Sequence, residues 1–176
     1  PHSRSTPLGL AVLLIPSLLL GISFVVLTVS IHYDADPASR IWSHIAVAFA
    51  SMYATLIGIV YYVQLTFVGP RLVEGRTEEI QLLLFEPFDS FLYAVDMLGY
   101  TLMSVSTLFA AAVFEGEGLQ AWIRRALLAN GALIPFLALQ IYFNPLIWVA
   151  SLWAITFPGA SISLAALFRR PTARAR

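Results

Sequence analysis

The sequence contains no cysteine and no lysine, and only 11% of its 176 residues are charged. The absence of cysteine excludes disulfide bonds, thiolate metal sites, iron–sulfur clusters and thiol redox catalysis. Ten arginines balance ten carboxylates, so the formal net charge is zero. We therefore expect no nucleic-acid partner, because binding to a phosphate backbone requires a basic face.

Hydrophobic residues, in contrast, make up 59% of the chain. A soluble domain is about 25% charged, and a chain of this length cannot bury so much apolar surface inside itself. The surplus requires an apolar solvent. The composition therefore predicts an integral membrane protein with membrane lipid as its partner, folded as a single domain over residues 1–176.

Five apolar stretches are long enough to cross a bilayer, which takes about 20 residues in a helix. They cover approximately residues 8–31, 41–68, 87–114, 121–143 and 145–168. Strands of a membrane barrel are shorter and alternate strictly, and these runs do neither. We predict an all-α membrane protein, a bundle of about five transmembrane helices, with the first run retained as a helix rather than removed as a signal peptide.

The longest polar connection, residues 69–86, predicts a short interfacial helix between the second and third spans. Thr77 is placed to cap it, and Glu78 and Glu79 in the first turn suit the positive end of the helix dipole. Ile80, Leu83 and Leu84 would give this helix an apolar face. We expect this face to lie on the membrane surface.

Arginine is unevenly distributed between the two sides that a five-span topology defines. One side carries Arg4, Arg71 and Arg76, and the other carries the remaining seven arginines. Short cytoplasmic loops are enriched in basic residues. We therefore expect a bacterial-type inner (plasma) membrane with the C-terminus in the cytoplasm.

Asp96 is the clearest functional candidate, because ionisable groups at membrane depth are costly. It lies about nine residues into the third predicted span, roughly 13 Å from its start. Helical spacing puts Tyr93, Tyr100, Ser104 and Thr107 on the same face. One hypothesis is that Asp96 is a proton carrier, an acid–base group or a ligand anchor. The other is that Asp96 only holds helices together through hydrogen bonds. Asp89, nearer the start of the span, is better placed to cap the helix.

Several polar residues in other spans fall at the depth of Asp96. We hypothesise a ligand-binding pocket in the outer half of the bundle, formed by Asp96, Tyr93, Tyr100, Tyr62, Gln64, Gln140 and Asn144. Not all of these residues can face Asp96 at once. In the second span, Gln64 shares a helix face with Tyr53 and lies nearly opposite Tyr62. The alternative is that the amides join helices and the tyrosines belong to the interfacial belt.

The remaining patterns favour structural roles. Ala46, Ala50, Ala54 and Gly58 form a ridge of small residues, typical of close helix packing. The four tryptophans, Trp42, Trp122, Trp148 and Trp153, fit interfacial anchors. Pro16 and Pro135 are expected to kink their helices.

His32, Asp34, Asp36 and His44 lie near one loop, but their spacing is not typical of a metal site, and we expect no metal there. No nucleotide-binding, hydrolase or zinc-protease motif is present, and we expect no cofactor.

Three functions remain open. The leading hypothesis is a protein that binds or transports a small apolar or amphipathic molecule, a hydrophobic ligand anchored by Asp96. The second is a membrane-embedded enzyme that acts on a lipid-soluble substrate with Asp96 as general acid or base. The third is a structural subunit of a membrane complex. The sequence leaves open whether the protein is an enzyme and whether it forms a homo-oligomer.

Overall fold

The computed structural model describes residues 7–169, and all regular secondary structure among them is helical. The α-helices are α1 (Pro7–Asp34), α2 (Arg40–Val63), α3 (Gly69–Val73), α4 (Phe91–Ala111), α5 (Leu119–Gly131), α6 (Ile134–Leu139), α7 (Ile147–Ala150) and α8 (Trp153–Phe168). Five helical stretches are long and apolar enough to cross a membrane: Leu14–Asp34, Arg40–Val73, Phe91–Ala111, Leu119–Leu139 and Asn144–Phe168. The predicted all-helical architecture with five candidate spans is confirmed at this level.

The second span runs without interruption through three helical segments of two types. Between α2 and α3 the backbone forms a π-helix over Gln64–Val68. Such a turn inserts extra backbone into an α-helix and is frequent at functional sites. Here it lies where Gln64 and Val68 both face the protein interior.

The fourth and fifth spans are broken, although each appears in the sequence as one apolar run. The fourth breaks after Gly131, between α5 and α6. Pro135 lies in the first turn of α6, where the missing amide hydrogen costs little, so it follows a break rather than kinking a continuous helix. The fifth span starts with a 3-10 turn at Asn144–Leu146 and breaks again between α7 and α8.

Helix α2 packs along both α1 and α4. Small residues allow these close approaches. A Cβ on Gly21 would lie 3.5 Å from the Cα of Ala54, and a Cβ on Gly99 would lie 3.1 Å from Cδ1 of Ile57. Ala46 and Ala50 of the predicted ridge are buried, whereas Gly58 has no neighbouring atom within 4 Å of its Cβ position.

Residues 77–90, which we call the strap, connect α3 to α4. The strap begins with a 3-10 helix over Glu78–Leu83, in which Thr77 makes no capping bond through its side chain, contrary to the prediction. Ile80 is fully buried beneath it. The strap ends at Ser90, whose hydroxyl accepts a hydrogen bond from the amide of Tyr93 and caps α4. Ser90, rather than Asp89, therefore provides the cap.

Large apolar side chains cover much of the outer surface of the bundle, as contact with lipid requires. Trp42, Trp122 and Trp148 are among them. Trp153 was predicted to be a fourth interfacial anchor, but it stacks on Phe157 at a centroid distance of 5.5 Å and also contacts the ring of Tyr100. Trp153 is partly buried, with Nε1 enclosed, so it packs against the bundle interior.

Candidate functional site

Asp96 lies in the second turn of α4, and only 3% of its surface is exposed. Its Oδ1 atom is buried and has no hydrogen-bond partner among the described residues. The arginines nearest in sequence are engaged elsewhere: Arg71 pairs with Glu79, and Arg76 pairs with Glu74 and Glu79. A buried carboxyl oxygen that is left without a partner is costly, so this atom marks the centre of the candidate site.

Tyrosines surround this carboxyl group. Tyr61 lies within hydrogen-bonding reach of Asp96. Its hydroxyl oxygen is 3.4 Å from that of Tyr100, one helical turn beyond Asp96 on α4. Tyr53 and Tyr93 are also close enough to interact electrostatically with Asp96. The carboxyl group therefore faces phenol hydroxyls rather than a basic side chain.

Tyr53 and Tyr61 were not among the predicted site residues. Both are buried on the face of α2 that also carries Gln64. The sequence contained a signal for Tyr53, because the helical spacing placed it on the face of Gln64 and opposite Tyr62. The missing information was which of the two faces turns toward α4.

Tyr93 and Gln140 connect α4 to the end of α6, as their shared depth predicted. The hydroxyl of Tyr93 donates to Oε1 of Gln140 over 3.4 Å, and both residues are buried. The amide nitrogen of Gln140 donates to the sulfur of Met97 and to the backbone oxygen of Leu137. Gln140 thus holds the wall of the site beside Asp96.

Gln64 is buried but serves a different partner. Its Nε2 donates to the backbone oxygen of Leu83, 2.6 Å away, and so ties the strap to the second span. The rings of Phe85 and Phe88, also in the strap, pack on Tyr93 with centroid distances of 5.7 and 5.3 Å. The strap therefore covers the Tyr93 side of the site.

Two predicted residues lie outside this cluster. Tyr62 is 62% exposed, because it occupies the face of α2 opposite Tyr53 and Gln64. Asn144 is exposed in the turn before α7. Both residues were assigned to the site because they fall at the depth of Asp96 in the predicted spans. In the structure both side chains are exposed instead.

Tyr53 and Tyr100, two of the tyrosines near Asp96, also belong to a closed circle of five aromatic side chains. Each ring lies 5.2 to 5.7 Å from the next, in the order Phe24, Tyr53, Tyr100, Trp153, Phe157 and back to Phe24. The hydroxyl of Tyr53 and Nε1 of Trp153 are buried and, within residues 7–169, have no hydrogen-bond partner. Three unpaired polar atoms, including Oδ1 of Asp96, therefore belong to residues in or next to this aromatic group.

A second buried polar group is fully paired and has a structural role. The side-chain nitrogen of Asn130 donates to the hydroxyl of Thr107 over 3.1 Å, and the hydroxyl of Thr156 donates to its oxygen over 3.1 Å. These bonds join α4, α5 and α8 next to the break in the fourth span. Paired amides of this type hold membrane helices together.

His32 and His44 lie at the opposite end of the bundle. Nδ1 of His32 lies 2.9 Å from the hydroxyl of Ser43, and the rings of His32 and His44 are 5.4 Å apart. In the part of the chain that the structure describes, no three His, Asp or Glu side chains are grouped so that they could hold a metal ion.

Three described pockets lie at the ends of the bundle, and Asp96 lines none of them. The largest of these, about 360 Å³, lies between the strap and the start of α4 and includes Glu86, Asp89 and Phe91 in its walls. Comparison with models of known protein families, with characterised proteins and with solved structures finds no match to this chain.

Proposed function

We propose that this protein binds, and carries within the membrane, a small apolar or amphipathic molecule held next to Asp96. The observation that supports this proposal most is the unpaired Oδ1 of Asp96, because that atom is buried among phenol groups and lacks a partner. A ligand that donates a hydrogen bond would satisfy it. A polar side chain that only holds helices together is, in contrast, expected to be hydrogen-bonded to a neighbouring helix, as Asn130 is.

The surroundings of Asp96 suit a ligand with a polar head and an apolar body. The hydroxyls of Tyr61 and Tyr100 can donate to or accept from the head. An apolar wall for the rest of the molecule is provided by the circle of five aromatic side chains: Phe24, Tyr53, Tyr100, Trp153 and Phe157. A few placed polar groups in an otherwise aromatic lining are typical of small-molecule sites.

We also propose that the strap faces the outside of a bacterial-type inner membrane and that the C-terminus is cytoplasmic. The uneven distribution of arginine supports this orientation. Four of those arginines, Arg4, Arg170, Arg174 and Arg176, lie outside the described residues. In this orientation the strap would control entry from the outer side.

The proposal is tested by mass spectrometry of the intact protein released from detergent micelles. We expect wild-type protein to carry a co-purified small molecule, and the Asp96→Leu variant, whose side chain has a similar size but accepts no hydrogen bond, to lose it. Ser104→Ala is the matched control. Ser104 is also a buried α4 residue with an unpaired hydroxyl, but it lies two turns from Asp96.

The proposal fails if Asp96→Leu carries the same molecule in the same amount as wild type. It also fails if neither protein carries a molecule and lipid extracts transfer none to the wild type. If Asp96→Asn keeps the molecule but stops its chemical conversion, the enzyme hypothesis replaces ours. The structural-subunit hypothesis instead predicts that a second protein chain, and no small molecule, accompanies the wild type.

A further inference from the structure

We infer that the ligand of the Asp96 site is an amphipathic amine, bound through a positively charged ammonium group. This inference rests on the proposed function and specifies its ligand class. It follows from the chemistry of Asp96, from the aromatic groups around it and from the charges at the end of the bundle where the strap lies.

Within residues 7–169, no arginine forms an ion pair with Asp96. Arg71 and Arg76 form ion pairs with glutamates of their own segment, and Arg40, Arg124 and Arg125 are exposed at the opposite end. A carboxylate at membrane depth needs an opposite charge or several hydrogen bonds. An ammonium group provides both, because it donates three hydrogen bonds and neutralises the carboxylate.

The neighbours of Asp96 are those that stabilise a cation. Tyr53, Tyr61, Tyr93 and Tyr100 all lie close enough to Asp96 to interact with it electrostatically, and Trp153 contacts the ring of Tyr100 at 5.2 Å. A cation within about 6 Å of an aromatic ring is attracted to its face. A neutral alcohol gains no comparable attraction, so the site distinguishes an amine from an alcohol of the same shape.

The end of the bundle that leads to Asp96 is acidic. Residues 69–90 carry two arginines and five carboxylates, a net charge of −3. Two of these carboxylates, Glu86 and Asp89, belong to the pocket of about 360 Å³ between the strap and α4. Asp89 lies in the strap, two residues before α4 begins, and Asp96 lies in the second turn of that helix. A surface of this charge concentrates cations at the entrance.

The test compares two probes with the same carbon skeleton, 2-phenylethylamine and 2-phenylethanol. Both donate a hydrogen bond, but only the amine is positively charged at neutral pH. Each is titrated into the full chain in a non-ionic detergent, and binding is followed by intrinsic tryptophan fluorescence and by equilibrium dialysis. We expect the wild type to bind the amine at least about tenfold more tightly than the alcohol. The variant Asp96→Asn should reduce amine affinity about tenfold or more and leave alcohol affinity within about twofold.

A second variant separates attraction at the entrance from binding at Asp96. Asp89→Asn removes one exposed charge and should weaken amine binding by no more than about threefold, with a smaller effect at high salt. The inference is overturned if the wild type binds amine and alcohol equally and both depend on Asp96, a result that leaves the proposed function intact. If neither probe binds in a saturable way, the inference and the proposed function both fail. Because the two probes are compared on wild-type protein, this part of the test does not depend on whether any variant folds.

Discussion

The side chain of Gln64 donates a hydrogen bond to the backbone oxygen of Leu83 over 2.6 Å. This bond connects the π-helical turn of the second span to the strap that covers Tyr93. Gln64 is buried, so few water molecules can replace its amide if the strap lifts. The bond therefore holds the strap closed over the candidate site.

Replacing Gln64 with leucine should loosen the strap while keeping the buried volume. Loss of one such bond costs about 1 kcal/mol, so amide hydrogens of residues 77–90 should exchange about fivefold faster. Hydrogen–deuterium exchange followed by mass spectrometry measures this change. Unchanged exchange in the strap would show that the Gln64 bond does not hold it.

Gln120→Leu is the matched control for this experiment. Oε1 of Gln120 accepts a hydrogen bond from the amide of Gly116 over 3.0 Å, in a loop at the opposite end of the bundle. The variant should accelerate exchange in residues 115–118 and leave the strap unaffected. Faster exchange in both loops would indicate general destabilisation instead.

Gly131 is expected to tolerate no added methyl group. A Cβ there would lie 3.0 Å from Cβ of Leu108 and 3.3 Å from its Cα, which belongs to the backbone of α4. Gly131→Ala should therefore force α5 away from α4 and reduce stability by about 1–3 kcal/mol. The measurement is the midpoint of thermal unfolding in detergent.

Gly58→Ala provides the comparison, because no atom lies within 4 Å of its Cβ position. Alanine is the better helix former, so this variant should be neutral or more stable by up to about 1 kcal/mol. Equal unfolding midpoints for the two variants would contradict the packing described between α4 and α5.

Asn130 holds three helices together through its hydrogen bonds to Thr107 and Thr156. Asn130→Ala should reduce stability by about 1–2 kcal/mol, because it breaks two buried bonds inside the bundle. Ser51→Ala, which removes only an exposed bond to the preceding turn, should cost less than about 0.5 kcal/mol. Unfolding in graded denaturing detergent compares them, and equal losses would show that the Asn130 bonds contribute nothing specific.

The five helical spans could be predicted because long apolar runs have only one stable backbone solution in hydrocarbon. Helical spacing also placed Tyr53 and Gln64 on one face of α2, and the structure shows that this face is buried. The breaks after Gly131 and before Trp153 were missed, because both lie inside runs whose mean hydropathy is high enough for a continuous span. Trp153 looked like an interfacial anchor because it lies near one end of such a run.

The composition of the site was only partly predictable. Asp96, Tyr93, Tyr100 and Gln140 come together because depth and helix face agree for all of them. Tyr62 and Asn144 matched in depth alone, and the single sequence held no information on which helices become neighbours. Tyr61 reaches Asp96 because α2 packs along α4, which only the structure shows.

The central claim, that a small molecule is held next to Asp96, is tested most directly by an experimental density map of the wild-type protein purified from membranes. We predict non-protein density within hydrogen-bonding distance of Oδ1 of Asp96, between the side chains of Tyr61 and Tyr100. Clearly resolved side chains that close around Asp96, with no additional density and with Oδ1 paired to another protein atom, would contradict the account.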